Sequence, residues 1–114
     1  MIREDNVARL TTKLVLQGAN IPFTPGAERA LHERGVLVIP DFIANAGGVI
    51  CAAMEYRGAT ESQAFQAIAE KIRANTEAVL SEAKARQVLP RQAAVDLAGS
   101  RVREAMRYRR FNLM

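Results

Sequence analysis

Two small clusters in this chain combine glycine with an asparagine carboxamide. One is Gly18-Ala19-Asn20, and the other lies in Asn45-Ala46-Gly47-Gly48. A carboxamide carries a donor and an acceptor together, so it can bind another amide or a hydroxyl group. The two glycines allow close backbone approach, and a helix starting there would present free N–H groups. These residues predict a polar ligand site. The alternative, that both asparagines cap turns and the glycines serve local geometry, stays open on spacing alone.

Other residue types with chemical potential are few. The single cysteine, Cys51, excludes a disulfide framework and Cys-based zinc sites, and we predict no metal site. We expect Cys51 to fill a small apolar space and His32 to lie on a helix surface. Asp41 follows Pro40 at a strand end, where a turn-forming role is favoured over direct ligand contact.

Each of the two clusters follows an apolar run that is predicted to form a strand, so two strands position them. The apolar runs at 13–17 and 36–39 do not alternate with polar residues, which predicts parallel strands buried on both faces. Between them, Thr24 is a predicted N-cap, Pro25 a first helical residue and Gly35 a stop. The pattern predicts a right-handed β-α-β unit, which brings the carboxyl ends of both strands to one sheet edge.

The second half of the chain reads as helices alone. A short apolar helix is predicted from Gly47-Gly48 to about Gly58, and Thr60-Glu61-Ser62-Gln63 is a capping box for a long amphipathic helix. Leu89-Pro90 interrupts the pattern before a last helix. The predicted inward positions of the two long helices are Phe65, Ile68, Ile72, Val79, Ala83, Val95, Ala98, Val102 and Met106.

Two parallel strands with unpaired edges are rarely stable alone. Either a second copy completes the sheet or these 114 residues belong to something longer, and we favour the second interpretation. We predict one partial domain, with residues 1–46 as its β-α-β end and residues 47–114 as a helical segment.

Three motifs in order resemble the C-terminal part of glutamate dehydrogenases, within the glutamate, leucine, phenylalanine and valine dehydrogenase family. They are Gly18-Ala19-Asn20-Ile21-Pro22-Phe23-Thr24-Pro25, Gly35-Val36-Leu37-Val38-Ile39-Pro40-Asp41 and Asn45-Ala46-Gly47-Gly48-Val49. The resemblance runs from about Lys13 to Tyr108. It implies an α/β fold: the C-terminal portion of a Rossmann-like dinucleotide-binding domain followed by an all-helical segment.

The resemblance also implies oxidative deamination of an amino acid with NAD or NADP as cofactor. It places Asn20 beside the nicotinamide ribose and Asn45 near the reacting end of the nicotinamide. The resemblance implies that the two asparagines bind the cofactor together with Gly18, Ala19, Gly47 and Gly48. It implies that Val49 and Ala52 bind the substrate. Glutamate-specific members typically carry a serine where this chain has Ala52. A branched-chain or aromatic amino-acid substrate is therefore an alternative to L-glutamate.

The family's catalytic lysine and aspartate and its Gly-rich dinucleotide turn match nothing in this sequence. We therefore expect no catalytic residue in this chain, no activity alone, and an upstream substrate domain as partner. The resemblance implies a homo-oligomer, as a hexamer. A non-enzymatic nucleotide-binding or assembly module is the second hypothesis.

The net charge of +4 does not favour nucleic acid as a partner. Residues 1–100 carry 11 basic and 11 acidic side chains, so the excess lies in the last fourteen residues. Their five arginines, from Arg101 to Arg110, suit the negative pole of a helix end. No apolar run approaches the ~20 residues that span a bilayer, and the polar N-terminus lacks a signal pattern. We expect a cytoplasmic protein without membrane contact.

Overall fold

Two short parallel strands form the sheet. In the computed structural model, which describes the backbone of residues 1–112 and the side chains of residues 1–109, β1 spans Leu14–Leu16 and β2 spans Leu37–Ile39. Leu14 pairs with Leu37 and Leu16 with Ile39, so both strands end at the same edge. This confirms the predicted parallel pair. The side chain of Arg110, counted in the basic stretch, lies outside the described residues.

Helix α1, Pro25–Glu33, connects the strands and has the predicted boundary chemistry. The Ala27 N–H donates to Thr24 Oγ1 at 3.2 Å, and Pro25 is the first helical residue. Gly35 follows the helix with a φ of +80°, a conformation that glycine adopts without strain. Both helix boundaries are confirmed.

Helix α1 covers one face of the sheet, whereas the other face is covered only in part. Val38 packs with Ala27 and Leu31 of α1 in a core that also includes Val7, Phe23 and Val36. On the other face Leu14, Leu16 and Leu37 are 49%, 63% and 42% exposed. The expectation of strands buried on both faces is therefore wrong for β1 and for Leu37 within the described residues. Ile39, which shares this second face with Leu37 by strand alternation, is nevertheless buried at 5% exposure, so the described residues cover the face at the end of β2 and leave it open along β1.

Four helices follow β2. A short helix not predicted from the sequence, α2 (Asp41–Ala44), precedes α3 (Gly47–Tyr56), α4 (Glu61–Arg86) and α5 (Pro90–Asn112). The capping box at α4 is confirmed: the Gln63 N–H donates to Thr60 Oγ1, and the Thr60 N–H donates to Gln63 Oε1 at 2.9 Å. Within the described residues, no helix is both long and apolar enough to cross a membrane.

Small side chains line the contact between the two long helices. Their common core consists of Val79, Ala83, Ala93 and Ala94, with Ile43, Val88 and Leu97 packed against it. Part of the predicted apolar face is wrong, because these large side chains are more than half exposed: Phe65, Val95, Val102 and Met106. Alanine lets two helix backbones approach closely, so alanine positions face the partner helix here.

Candidate cofactor-binding edge of the sheet

The parallel register brings the polar residues that follow each strand together. Gln17 follows β1, and Asp41 follows β2 after Pro40. Both side chains are buried, at 1% and 6% exposure. We call this end of the sheet, with residues 17–21 and 41–48, the carboxyl edge. It is the position at which open α/β sheets bind ligands.

Asn20 and Asn45 are in direct contact at this edge. Asn45 Nδ2 donates to Asn20 Oδ1 at 2.7 Å and lies 3.5 Å from the carbonyl oxygen of Gly18. Asn20 is exposed and Asn45 half-buried. Within the described part of the chain, Asn20 Nδ2 and Asn45 Oδ1 have no hydrogen-bond partner. This asparagine pair thus presents one amide donor and one amide acceptor to solvent.

The glycines of the two clusters differ in their surroundings. A Cβ added to Gly18 or Gly48 would meet no described atom within 4 Å. One added to Gly47 would lie 3.6 Å from Ile68 Cγ2, an ordinary contact. Ala19, next to Gly18, is exposed. The described residues therefore leave the backbone open at Gly18 and Gly48.

Helix α3 begins directly after Asn45 and Ala46. Its N-cap residue, Ala46, offers no side-chain acceptor to the first turn. Val49 is 77% exposed, and Ala52 is also exposed. Residues three apart share a helix face, so these two side chains form one small apolar surface beyond the asparagine pair.

Four polar side chains form a buried network beneath the edge. Arg91 of α5 donates from Nε to Glu28 Oε1 at 3.0 Å, and from Nη2 to Gln17 Oε1 at 2.8 Å and Asp41 Oδ1 at 3.1 Å. Gln17 Nε2 donates to Glu28 Oε2 at 2.9 Å, and the Asp41 N–H donates to Gln17 Oε1 at 3.2 Å. We call these four residues the Arg91 network. It connects the residue after β1 with α1, α2 and α5.

Asp41 also controls the backbone next to Asn20. The Ile21 N–H donates to Asp41 Oδ2 at 2.8 Å, and the φ of Ile21 is +48°. Positive φ is strained for a β-branched residue, and the residue before a proline also disfavours helical conformations. Burial raises the pKa of Asp41, but the N–H groups of Ile21 and Phe42 and the Arg91 guanidinium hold it below its ordinary value.

Sequence reasoning found the asparagine pair but missed most of this network. Asp41 was expected to form a turn, whereas it accepts hydrogen bonds from both sides of the edge. One signal was present: Glu28 lies between Ala27 and Leu31, on the inward face of α1, where an acidic residue needs a partner. The partner, Arg91, lies 63 residues away, and no local pattern reveals it.

Two further residues named from the sequence lie outside this edge. Cys51 is half-buried, and its Sγ lies 3.7 Å from Glu55 Oε1. Burial raises the pKa of the Cys51 thiol, and the carboxylates of Glu55 and Glu61 raise it further. His32 is exposed on α1, as expected. Among the described residues, no group of three His, Cys, Asp or Glu side chains is arranged to hold a metal ion.

Comparison with known sequences decides the family. The profile of the Glutamate/Leucine/Phenylalanine/Valine dehydrogenase family matches residues 1–110. The chain belongs to this family. An NADP(+)-dependent glutamate dehydrogenase from Pyrobaculum calidifontis is 59% identical over 56 residues, covering 49% of this chain and 13% of the relative. An NAD-specific glutamate dehydrogenase from Staphylococcus aureus is 35% identical over 114 residues, covering 95% of this chain and 28% of the relative. This dehydrogenase-family chain therefore spans less than a third of these relatives.

Solved structures agree with the family assignment. The glutamate dehydrogenase of Peptoniphilus asaccharolyticus superposes with a TM-score of 0.83 at 27% identity, over 96% of this chain and 29% of that one. An L-tryptophan dehydrogenase from Nostoc punctiforme gives 0.80 at 26% identity, over 91% and 31%. The predicted fold class, a partial Rossmann-like α/β unit with a helical segment, is confirmed.

Proposed function

We propose that this chain supplies one wall of the cofactor and substrate cleft in an NAD- or NADP-dependent amino-acid dehydrogenase. The reaction is the oxidative deamination of L-glutamate to 2-oxoglutarate and ammonia. The observation that carries this proposal is the contact between Asn20 and Asn45 at the carboxyl edge, 2.7 Å between Nδ2 and Oδ1. The family relatives named for NAD and NADP support the cofactor class.

The asparagine pair suits an amide-bearing ligand. Its free Asn20 Nδ2 can donate to a carbonyl oxygen while its free Asn45 Oδ1 accepts from an N–H group. The carboxamide of nicotinamide and the hydroxyls of its ribose offer these complementary groups. Open backbone at Gly18 and Gly48 leaves room for the cofactor, with Ala19 and Gly47 completing that surface.

Val49 and Ala52 are the proposed substrate-facing residues. Both are exposed on the same face of α3, one and two turns beyond Asn45. Ala52 has no hydroxyl, so it cannot donate a hydrogen bond to a distal carboxylate, an interaction typically of about 1.5–3 kcal/mol. A branched-chain or aromatic amino acid is therefore the second candidate substrate. In the enzyme that carries this chain, comparing turnover of L-glutamate, L-leucine and L-phenylalanine decides between them.

Dinucleotide binding tests the cofactor role in the chain itself. Titration of NADH and NADPH, followed by the backbone amide resonances of residues 18–20 and 45–48, should reveal weak, saturable shifts. The Asn20→Ala, Asn45→Ala double variant should lose them. Asn75→Ala is a matched control, because Asn75 of α4 instead accepts a hydrogen bond from Arg101. Equal affinity in the double variant and the unaltered chain would reject the cofactor role.

We further propose that the catalytic lysine and aspartate come from another part of the enzyme. Residues 1–46 then form the end of its nucleotide-binding domain, residues 47–114 form the helical closure, and the assembly is a homo-oligomer such as a hexamer. The 114-residue chain alone should give no glutamate-dependent reduction of NAD or NADP. Measurable turnover without any added component would refute this division of labour.

A further inference from the structure

The Arg91 network lies between the helical half of the chain and the carboxyl edge. Arg91 is the second residue of α5, and its guanidinium reaches acceptors on three other segments. Its partners Gln17, Glu28 and Asp41 are 1%, 5% and 6% exposed, so removing Arg91 leaves buried acceptors without this donor. The guanidinium carbon also lies 5.8 Å from the centre of the Phe42 ring.

Two hydrogen bonds and one peptide bond connect Arg91 to Asn20 of the asparagine pair. Arg91 holds Asp41, and Asp41 holds the N–H of Ile21 in its left-handed conformation. Ile21 directly follows Asn20, whose side chain accepts from Asn45. A strained conformation persists only where its surroundings fix it, and here Asp41 provides that constraint.

From this geometry we propose that Arg91 is a positioning residue for the carboxyl edge. Its hydrogen bonds within the described residues go to Gln17, Glu28 and Asp41 and not to the asparagine pair itself. It fixes Asp41 and Gln17, the residues that follow β2 and β1, and thereby holds Asn20 and Asn45 in one arrangement before the ligand arrives. A ligand that binds a preorganised pair does not have to order those side chains on binding. The proposal rests on the cofactor role of the pair.

Arg91→Met tests this, because methionine keeps an unbranched stem and removes all the donors. We expect NADH to bind about tenfold more weakly, because the side chains of Asn20 and Asn45 must then be ordered when NADH binds. The side-chain amide resonances of Asn45 should shift in the absence of ligand. Arg101→Met, on the same helix, removes a hydrogen bond to Asn75, the one partner of Arg101 among the described residues, and should change neither quantity.

Arg91→Lys covers the case in which Arg91→Met does not fold. Lysine keeps the charge opposite Glu28 but lacks the planar fork that serves three acceptors at once. We expect NADH to bind roughly three- to tenfold more weakly, because Asn20 and Asn45 would be only partly ordered before NADH binds. Unchanged NADH affinity and unchanged Asn45 amide resonances in a folded Arg91 variant would overturn the positioning role.

The two proposals fail in different ways. If the Asn20→Ala, Asn45→Ala variant loses NADH binding while the folded Arg91 variants keep both their NADH affinity and their Asn45 amide resonances, only the positioning role is wrong. If the asparagine double variant binds NADH normally, the cofactor role is wrong. The ligand-free Asn45 resonances of the Arg91 variants then decide whether Arg91 orders the edge.

Discussion

Substitution of Asp41 perturbs the carboxyl edge most directly. Its carboxylate accepts hydrogen bonds from the N–H groups of Ile21 and Phe42 and from Arg91. A hydrogen bond to a charged group contributes about 1.5–3 kcal/mol, and three at the lower end amount to about 4.5 kcal/mol. Relaxation of the strained backbone at Ile21 returns about 1 kcal/mol. Asp41→Ala should therefore lower the free energy of unfolding by roughly 3–4 kcal/mol at pH 7.

The charge of Asp41 adds a pH signature. Because its pKa is depressed in the folded state, the carboxylate stabilises the fold fully above the unfolded pKa of about 3.9. That stabilisation is lost as the pH falls below this value and through the folded pKa. Asp41→Asn keeps the shape of the side chain but not its charge. It should lower the free energy of unfolding by a constant amount between pH 5 and 7, and this difference from the unaltered chain should shrink below about pH 4.

Urea denaturation followed by circular dichroism, repeated from pH 7 to pH 3, measures both effects. The matched control is Asp5→Asn, since Asp5 also pairs with an arginine, Arg3, but at an exposed site. Its cost should stay within about 0.5 kcal/mol throughout. A loss below 1 kcal/mol for Asp41→Ala, or an Asp41→Asn cost that does not change down to pH 3, would refute the assigned role of the carboxylate.

Three further substitutions test separate features. Ile21→Gly should raise the free energy of unfolding by about 1 kcal/mol in urea denaturation, because relief of positive-φ strain outweighs the added backbone entropy; destabilisation would contradict the strain. Thr60→Ala should lower it by about 1 kcal/mol, since the N–H of Gln63 loses its acceptor; an unchanged midpoint would argue against the cap. The thiol of Cys51 should react slowly with iodoacetamide at pH 7.5, and Glu55→Gln should accelerate the reaction by removing a charge that raises its pKa; equal rates would exclude that charge effect.

Local sequence chemistry was sufficient to predict the framework. The caps at Thr24 and Thr60, the stop at Gly35, the break at Leu89-Pro90 and the parallel strand pair each depend on residues close together in the chain. The contact between Asn20 and Asn45 followed from that framework, because parallel strands end at one edge.

The parts of the fold and of the site that the sequence did not predict depend on contacts between residues far apart in the chain. Arg91 meets Gln17 across 74 positions, and periodicity carries no information about such a pair. The inward face of the long helices is predicted correctly at Val79 and Ala83 but wrongly at several larger residues, for a related reason. Large apolar residues such as Phe65 and Val102 define the hydrophobic periodicity, whereas the close contact between the helices buries Ala93 and Ala94.

The long sequence separation within the Arg91 network has a consequence during synthesis. Translation at roughly 5–20 residues per second places Arg91 about 4–15 seconds behind Gln17. Over that interval β1, α1 and β2 can form, but Glu28 and Asp41 still lack their cation. The edge that we assign to the cofactor is therefore completed only after α5 has emerged. A nascent chain that stalls before residue 91 would carry both asparagines and still lack a competent edge.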